Sequence, residues 1–279
     1  MTERLIGRER KDGEEWLTLD HPASMNALSL PMLEQLAEAV EDLHRDSGAV
    51  RCVVITGAGR KAFCAGGDLR GFQADLAEPT TDRLLARLRY AQQVFDRIED
   101  LPMPVIGAVN GVAVAGGLEL LLCCDLVIAA ESARIGDGHA RYGIIPAGGS
   151  SARLPRKIAA NRANYLLLSA ELLPARTLEQ WGLVNQVVAD DELTGAVQSL
   201  ARMLARHSPL GLQTIKQLLR RGLQSGPRAA ARAEIGAFAS YARSADLAEG
   251  LDAFAQKREP VFRDPRRSST GDGEVAADE

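Results

Sequence analysis

Chemistry is first legible in this chain at a single acidic residue inside an apolar run. Glu119 stands in Gly116-Gly117-Leu118-Glu119-Leu120-Leu121-Leu122-Cys123-Cys124, a helix-forming stretch that follows the β-rich segment from Pro104. A carboxylate among leucines is costly to bury unless something uses it. The two glycines ahead of it lack side chains, so a ligand can approach the backbone N–H groups at a helix start, where the dipole favours negative charge. Backbone donors beside a poised carboxylate point to acid/base chemistry next to an oxyanion. A second close-approach loop is Ala65-Gly66-Gly67. It follows Gly57-Ala58-Gly59-Arg60-Lys61-Ala62, whose spacing nominally fits a dinucleotide fingerprint. That fingerprint needs a helix to begin there and an acidic residue about 20 positions on. Phe63-Cys64-Ala65-Gly66-Gly67 is a poor helix start, so the segment is read as a turn after a strand and a ligand-approach loop.

The elements that must position these groups follow from pattern. Trp16 to Leu19 is a short strand ended by Asp20-His21-Pro22. Ser29 caps a helix with Pro31 in its first turn, and Leu33, Leu36, Ala37, Val40 and Leu43 share its apolar face. Cys52 to Thr56, Val105 to Val109 and Leu126 to Ala130 are continuous apolar runs of the kind buried parallel strands show. Asp68 to Asp100 is helical with a break at Glu78-Pro79-Thr80-Thr81, and Leu84, Leu85, Leu88, Ala91, Val94, Phe95 and Ile98 form a stripe read as core. Arg134 to Gly136 is a short strand leading into Asp137-Gly138-His139. After the Pro146-Ala147-Gly148-Gly149 loop, helices are expected over 161–169, 191–205, 209–222 and 228–257, with Trp181 to Val188 as the one late strand-like insertion. This is an α/β core followed by a helical segment. Residues 1–200 are taken as the core, 201–265 as the helical region and 266–279 as a disordered acidic tail.

Composition narrows the function classes. With 46% hydrophobic and 25% charged residues the chain is an ordinary globular sequence. A net charge of −4 argues against a nucleic-acid footprint. The N-terminus is charged and has no apolar core, so it is no signal peptide. The longest apolar stretch is interrupted by Asn110, Glu119 and Asp125, which argues against a membrane span. Cys52, Cys64, Cys123 and Cys124 lie in apolar segments without the spacing of a zinc site. They read as reduced, buried thiols of a cytoplasmic protein, and no metal is expected.

Taken together, several segments resemble the crotonase family, the enoyl-CoA hydratase/isomerase superfamily, over roughly Trp16 to Phe262. Met25-Asn26-Ala27-Leu28 is similar to its early A-L-N-A-L turn. Thr56 to Leu69 is similar to T-G-x-G-x-A-F-x-A-G-x-D-[LI]. Pro104 to Asp125 is similar to P-V-I-A-A-V-N-G…G-G-G-x-E-L…C-D, and Gly143 to Arg156 to G-x-x-P-x-x-G-x-x-R-L-P-R. The resemblance implies a spiral of β-β-α turns making two roughly perpendicular sheets, a C-terminal helical trimerisation region, and trimers or hexamers. It implies an acyl-CoA thioester substrate, with no cofactor beyond the coenzyme A the substrate carries. It also implies two backbone N–H groups holding the thioester carbonyl, by position those of Ala65 and Gly116, and it makes Glu119 the first catalytic glutamate.

The second acid/base position departs from the pattern. Where the hydratases carry a glutamate twenty residues after the first, this chain has His139. A histidine can serve, since its pKa lies near neutrality and each ring nitrogen can donate or accept. Hydration of a 2-enoyl-CoA is the leading expectation. Isomerisation by Glu119 alone is the alternative, and hydrolysis, dehydration or decarboxylation using His139, or a catalytically silent CoA-binding relative, remain open. Contacts to substrate or coenzyme A are expected from Met25, Lys61, Ala65, Gly66, Gly67, Asp68, Leu69, Gly117, Tyr142, Phe254 and Lys257, with Asp137 flanking the site. Asp68 and Asp125 are read as turn or helix-end partners.

Overall fold

The computed structural model describes residues 3–46 and 48–262. The chain opens with an antiparallel hairpin of β1 (Ile6–Lys11) and β2 (Glu14–Leu19). The strand β1 was not anticipated because its charges hide the pattern. Arg8 and Arg10 both pair with the buried Glu15 on β2, at 2.9 and 2.6 Å. Next, α1 (Leu30–Arg45) begins at Ser29, whose hydroxyl accepts from the Met32 N–H, and it buries Met32, Leu33, Leu36, Val40 and Leu43 as its spacing predicts.

From there the chain repeats one unit: a strand in a large sheet, a short strand in a small sheet, then helix. The first turn is β3 (Cys52–Gly57), β4 (Ala62–Cys64), α2 (Leu69–Leu76) and α3 (Asp82–Glu99). The second is β5 (Val105–Val109), β6 (Val112–Val114) and α4 (Gly116–Leu122). The third is β7 (Leu126–Ala130), β8 (Arg134–Gly136), α5 (Ser150–Lys157) and α6 (Ala160–Ser169). Then come β9 (Leu173–Pro174), α7 (Ala175–Trp181), β10 (Gln186–Val188), α8 (Leu193–Ala205), α9 (Pro209–Gly222), α10 (Pro227–Tyr241) and α11 (Ala245–Gln256). The large sheet has the order β1-β2-β3-β5-β7-β10, parallel except for β1, and the small sheet β4-β6-β8-β9.

Burial of the large sheet on both faces explains its uninterrupted apolar strands. Cys52, Val54, Ile106, Ala108, Ile128 and Ala130 pack with Val197 and Ala201 of α8. The alternate residues Val53, Ile55, Val105, Val109, Val127 and Ala129 face the main core with α1, the end of α3 and α4.

Several expectations are corrected. Residue 200, the expected end of the core, lies within α8, which packs on the large sheet. The helix expected over 228–257 is two helices, because Ser244 starts α11 by accepting from the Leu247 N–H. Trp181 to Val188 is a helix end, a turn at Gly182 (φ +90°) and only then β10. The helix α5, with Pro155 inside it, was unforeseen. Of the α3 stripe, Val94, Phe95 and Ile98 are buried while Leu85 is exposed, so its first half is not core. The expected tail at 266–279 lies outside the described residues.

Candidate active site

The small sheet delivers two loops to the start of α4. At Ala115 the backbone turns with φ +53° and ψ −118°, and Gly116 opens the helix. Its N–H therefore has no intrahelical acceptor. A Cβ on Gly117 would lie 2.2 Å from the Cys64 carbonyl oxygen, so only glycine lets β4 sit this close to the helix start. A Cβ on Gly116 would lie 3.3 Å from the Gly67 nitrogen. The two glycine N–H groups thus border one small space.

The expected donor Ala65 is not available there. Its N–H donates to the Met25 carbonyl at 3.0 Å, while the Gly66 carbonyl accepts from the Leu28 N–H at 2.7 Å. The Met25 carbonyl is presented by two successive left-handed residues, Met25 and Asn26. Buried Asn26 holds that turn by donating from Nδ2 to the Ala58 and Ala62 carbonyls. Of this loop's N–H groups it is that of Gly67, and not that of Ala65, that lies beside Gly116. Met25 takes part through its backbone, and Gly66, at φ +93°, through the turn it permits.

Glu119, the fourth residue of α4, is buried as its sequence context implied. Its Oε1 accepts from the Gly148 N–H at 2.7 Å and the Ser150 N–H at 3.3 Å. A Cβ on Gly148 would stand 2.4 Å from the other oxygen, Oε2. The loop carrying these donors is pinned at both sides: Gln92 of α3 donates to the Ala147 carbonyl at 2.6 Å and Arg153 to the Gly148 carbonyl at 2.8 Å. Burial raises the Glu119 pKa, against lowering by the His139 charge and the two backbone donors. Gly148 and Ser150 were not singled out from sequence, although Gly148 lies in the Pro146-Ala147-Gly148-Gly149 loop and Ser150 directly follows it.

From the end of β8 come Asp137 and His139. Asp137 is buried; its Oδ2 faces His139 Nδ1 at 3.0 Å, and its Oδ1 accepts from the Ser150 hydroxyl at 2.9 Å. Since a carboxylate can only accept, Nδ1 carries the proton and Nε2 is the free nitrogen. Burial alone would lower the His139 pKa, but the hydrogen bond and charge of Asp137, with the charge of Glu119, raise it overall. Glu119 and His139 are therefore electrostatic neighbours, as their twenty-residue spacing implied.

The remaining expected residues are dispersed. Asp68 caps α2, accepting from the Arg70 N–H at 3.1 Å, and Asp125 accepts from the Val105 N–H at 2.8 Å, both structural partners as read. Lys61, just before β4, and Leu69, at the start of α2, are exposed. Tyr142 is 71% exposed and does not enter the buried cluster, because the turn His139–Tyr142 carries it outward. Phe254, 84% exposed, lies on α11, and Lys257 is the left-handed residue that ends it. No hydrogen bond or ion pair among the described residues ties them to Glu119.

A model of the enoyl-CoA hydratase/isomerase family matches residues 9–266. The chain belongs to this family. It is 38% identical to the 1,2-epoxyphenylacetyl-CoA isomerase of Escherichia coli, across 94% of this chain and 99% of that protein. It is 37% identical to the 2,3-dehydroadipyl-CoA hydratase of the same organism, over 94% and 99%. A crotonyl-CoA hydratase of Syntrophomonas wolfei is 35% identical over 91% and 96%. Among solved structures, an enoyl-CoA hydratase from Bacillus anthracis superposes with a TM-score of 0.88 at 32% identity, covering 93% of this chain and 99% of that one. The crotonase fold and enoyl-CoA hydratase/isomerase activity expected from sequence therefore stand. No helix among the described residues is long and apolar enough to cross a membrane.

Proposed function

We propose that this family member hydrates a 2-enoyl-CoA thioester, with the N–H groups of Gly67 and Gly116 holding the thioester carbonyl and Glu119 and His139 handling the protons. As water adds to the β-carbon, the electron pair of the double bond moves toward the carbonyl and negative charge gathers on its oxygen. Fixed donors at that point need no reorganisation, and one such donor is worth about 3 kcal/mol. The positive end of α4 adds to them. Glu119, with Oε1 already occupied by two N–H groups, has Oε2 to accept a proton from the water. His139, protonated on both nitrogens, gives the Nε2 proton to the α-carbon. One C–O bond and one C–H bond form as the π bond, one O–H bond of the water and the Nε2–H bond break, and the proton taken up by Glu119 returns to Nε2 through solvent to reset the pair. The observation that carries this reading is the convergence of a buried carboxylate and a carboxylate-oriented imidazole beside two free N–H groups.

Coenzyme A is proposed to enter past the exposed Lys61 and Leu69, a mobile lysine charge suiting its phosphates. Ile215 and Leu219 of α9, Leu223 at its end, and Ile235 and Phe238 of α10 are exposed apolar residues. Such residues support assembly of copies into trimers or hexamers. Phe254 and Lys257 then serve a neighbouring subunit's coenzyme A. A cytoplasmic location is proposed on the four buried free thiols.

The test is a short 2-enoyl-CoA, whose conjugated thioester absorbance should disappear as the hydroxyacyl product of added mass 18 forms. Persistence of that signal, with a 3-enoyl-CoA gaining conjugation, would replace hydration by isomerisation. Glu119→Gln should lose roughly 100- to 10,000-fold in turnover while still binding coenzyme A.

A further inference from the structure

We propose that Asp137 is the positioning residue of His139 and that Ser150 couples this pair to Glu119, so that the imidazole exchanges its proton only through Nε2. The proposal rests on the reading of His139 as the second acid/base group. Three geometric facts carry it.

First, the Asp137 carboxylate is satisfied at both oxygens by groups of this cluster. Oδ2 meets His139 Nδ1 at 3.0 Å and the His139 backbone N–H at 3.4 Å, and Oδ1 receives the Ser150 hydroxyl at 2.9 Å. With its side chain 1% exposed and its only ion-pair partner among the described residues His139, it is a buried charge whose counter-ion is the imidazolium. A merely capping aspartate would face solvent.

Second, the chain is shaped to make this contact. Asp137 and His139 are two residues apart, and Gly138 between them has φ +69°. A Cβ there would lie 2.5 Å from Val114 Cγ2. Only glycine lets the backbone double back against β6 so that the two side chains converge. Third, Ser150 touches both acid/base arms: its N–H donates to Glu119 Oε1 and its hydroxyl to Asp137 Oδ1. One residue at the start of α5 thereby sets the register between carboxylate and imidazole.

The consequence is a fixed proton address. Nδ1–H remains donated to Asp137 throughout the cycle, and Nε2 alone gains and gives the transferred proton. The charged groups facing His139 are Asp137 from the β8 turn and Glu119 from α4. Replacing Asp137 by Asn removes one of two anions that favour the imidazolium, so the alkaline limb of kcat, where His139 loses its proton, must move to lower pH.

The experiment is steady-state hydration by the full-length enzyme from pH 5 to 10 for wild type, Asp137→Asn, Ser150→Ala and His139→Gln, with ring ¹⁵N chemical shifts of His139. For Asp137→Asn the expected result is a kcat lower by roughly 10- to 100-fold, part of the effect of a positioned acid or base. KM should change little, the alkaline limb should move toward acid, and the neutral ring should become a mixture of tautomers. Ser150→Ala, which keeps the N–H to Glu119 but frees Asp137 Oδ1 to turn, should lower kcat by less and loosen the tautomer, without the acid shift of the limb that Asp137→Asn gives. Should Asp137→Asn fail to fold, Ser150→Ala with the ¹⁵N shifts decides the matter alone. An unmoved alkaline limb and unmixed tautomer, with His139→Gln inactive, would overturn the role of Asp137 and leave His139 standing. Full activity of His139→Gln would instead overturn the reading of His139 on which the proposal rests.

Discussion

Glu119 and His139 have pKa values displaced in the same direction for opposite reasons. Burial destabilises the glutamate's charge, whereas Asp137 and Glu119 stabilise the imidazolium. Turnover by the proposed mechanism needs Glu119 ionised and His139 protonated. Activity should therefore rise with pH through a value above the ordinary 4.5 of a glutamate and fall through a value above the ordinary 6.5 of a histidine. A kcat profile with its acid limb below 4.5, or its alkaline limb below 6.5, would contradict this assignment. Stability follows the same signs. The contribution of His139 is full below pH 6.5 and is lost as pH rises through the raised value. That of Glu119, also raised, is full below 4.5 and lost above its own folded value. At this scale the sequence shows Glu119 plainly, because a carboxylate in Leu-Glu-Leu-Leu-Leu has no polar face to occupy. It does not show which N–H of Ala65-Gly66-Gly67 is free. That depends on a carbonyl delivered by Met25, forty residues earlier, in a backbone conformation side-chain patterns do not reveal.

Between elements, the buried apolar strands were legible and most of the short ones were not, β8 being the exception. The strands β3, β5 and β7 are apolar on both faces, so their runs are unbroken; β4, β6, β8 and β9 span two or three residues, too few to carry a period. The contact that binds the late helices to the sheet is equally invisible in sequence. Lys216 of α9 is buried, donating to the Met103 carbonyl at 3.1 Å and to Asp125 Oδ2 at 2.6 Å, while Asp125 also accepts from the first N–H of β5. Asp125 keeps partial access to solvent, which moderates the cost of breaking the pair. Lys216→Met should lower stability by about 1–3 kcal/mol, seen as a lower urea midpoint with an unchanged slope. A midpoint equal to wild type would mean that α9 is held by its apolar contacts alone.

For the molecule as a whole, the ββα spiral was readable only through motif order, since no single repeat resembles another in sequence. The C-terminal helices, which the resemblance implied to be a trimerisation region, leave Ile235 and Phe238 of α10 exposed in the single chain. If copies cover these residues, melting temperature should rise with protein concentration by mass action. Phe254→Ser together with Lys257→Ala should then raise KM for the CoA thioester with kcat little changed. A concentration-independent melting temperature, with sedimentation as a monomer, would refute the assembly.

The Lys216–Asp125 pair also bears on how the chain is made. Its partners are 91 residues apart. At the usual 5–20 residues per second of synthesis, Asp125 waits roughly 5–18 s for its cation to be translated. During that interval the sheet can form its first three turns, but the mouth between β5 and β7 holds an aspartate without its lysine. Until α9 is made, Asp125 has the Val105 N–H but not its cation, and completion of α9 supplies that charge.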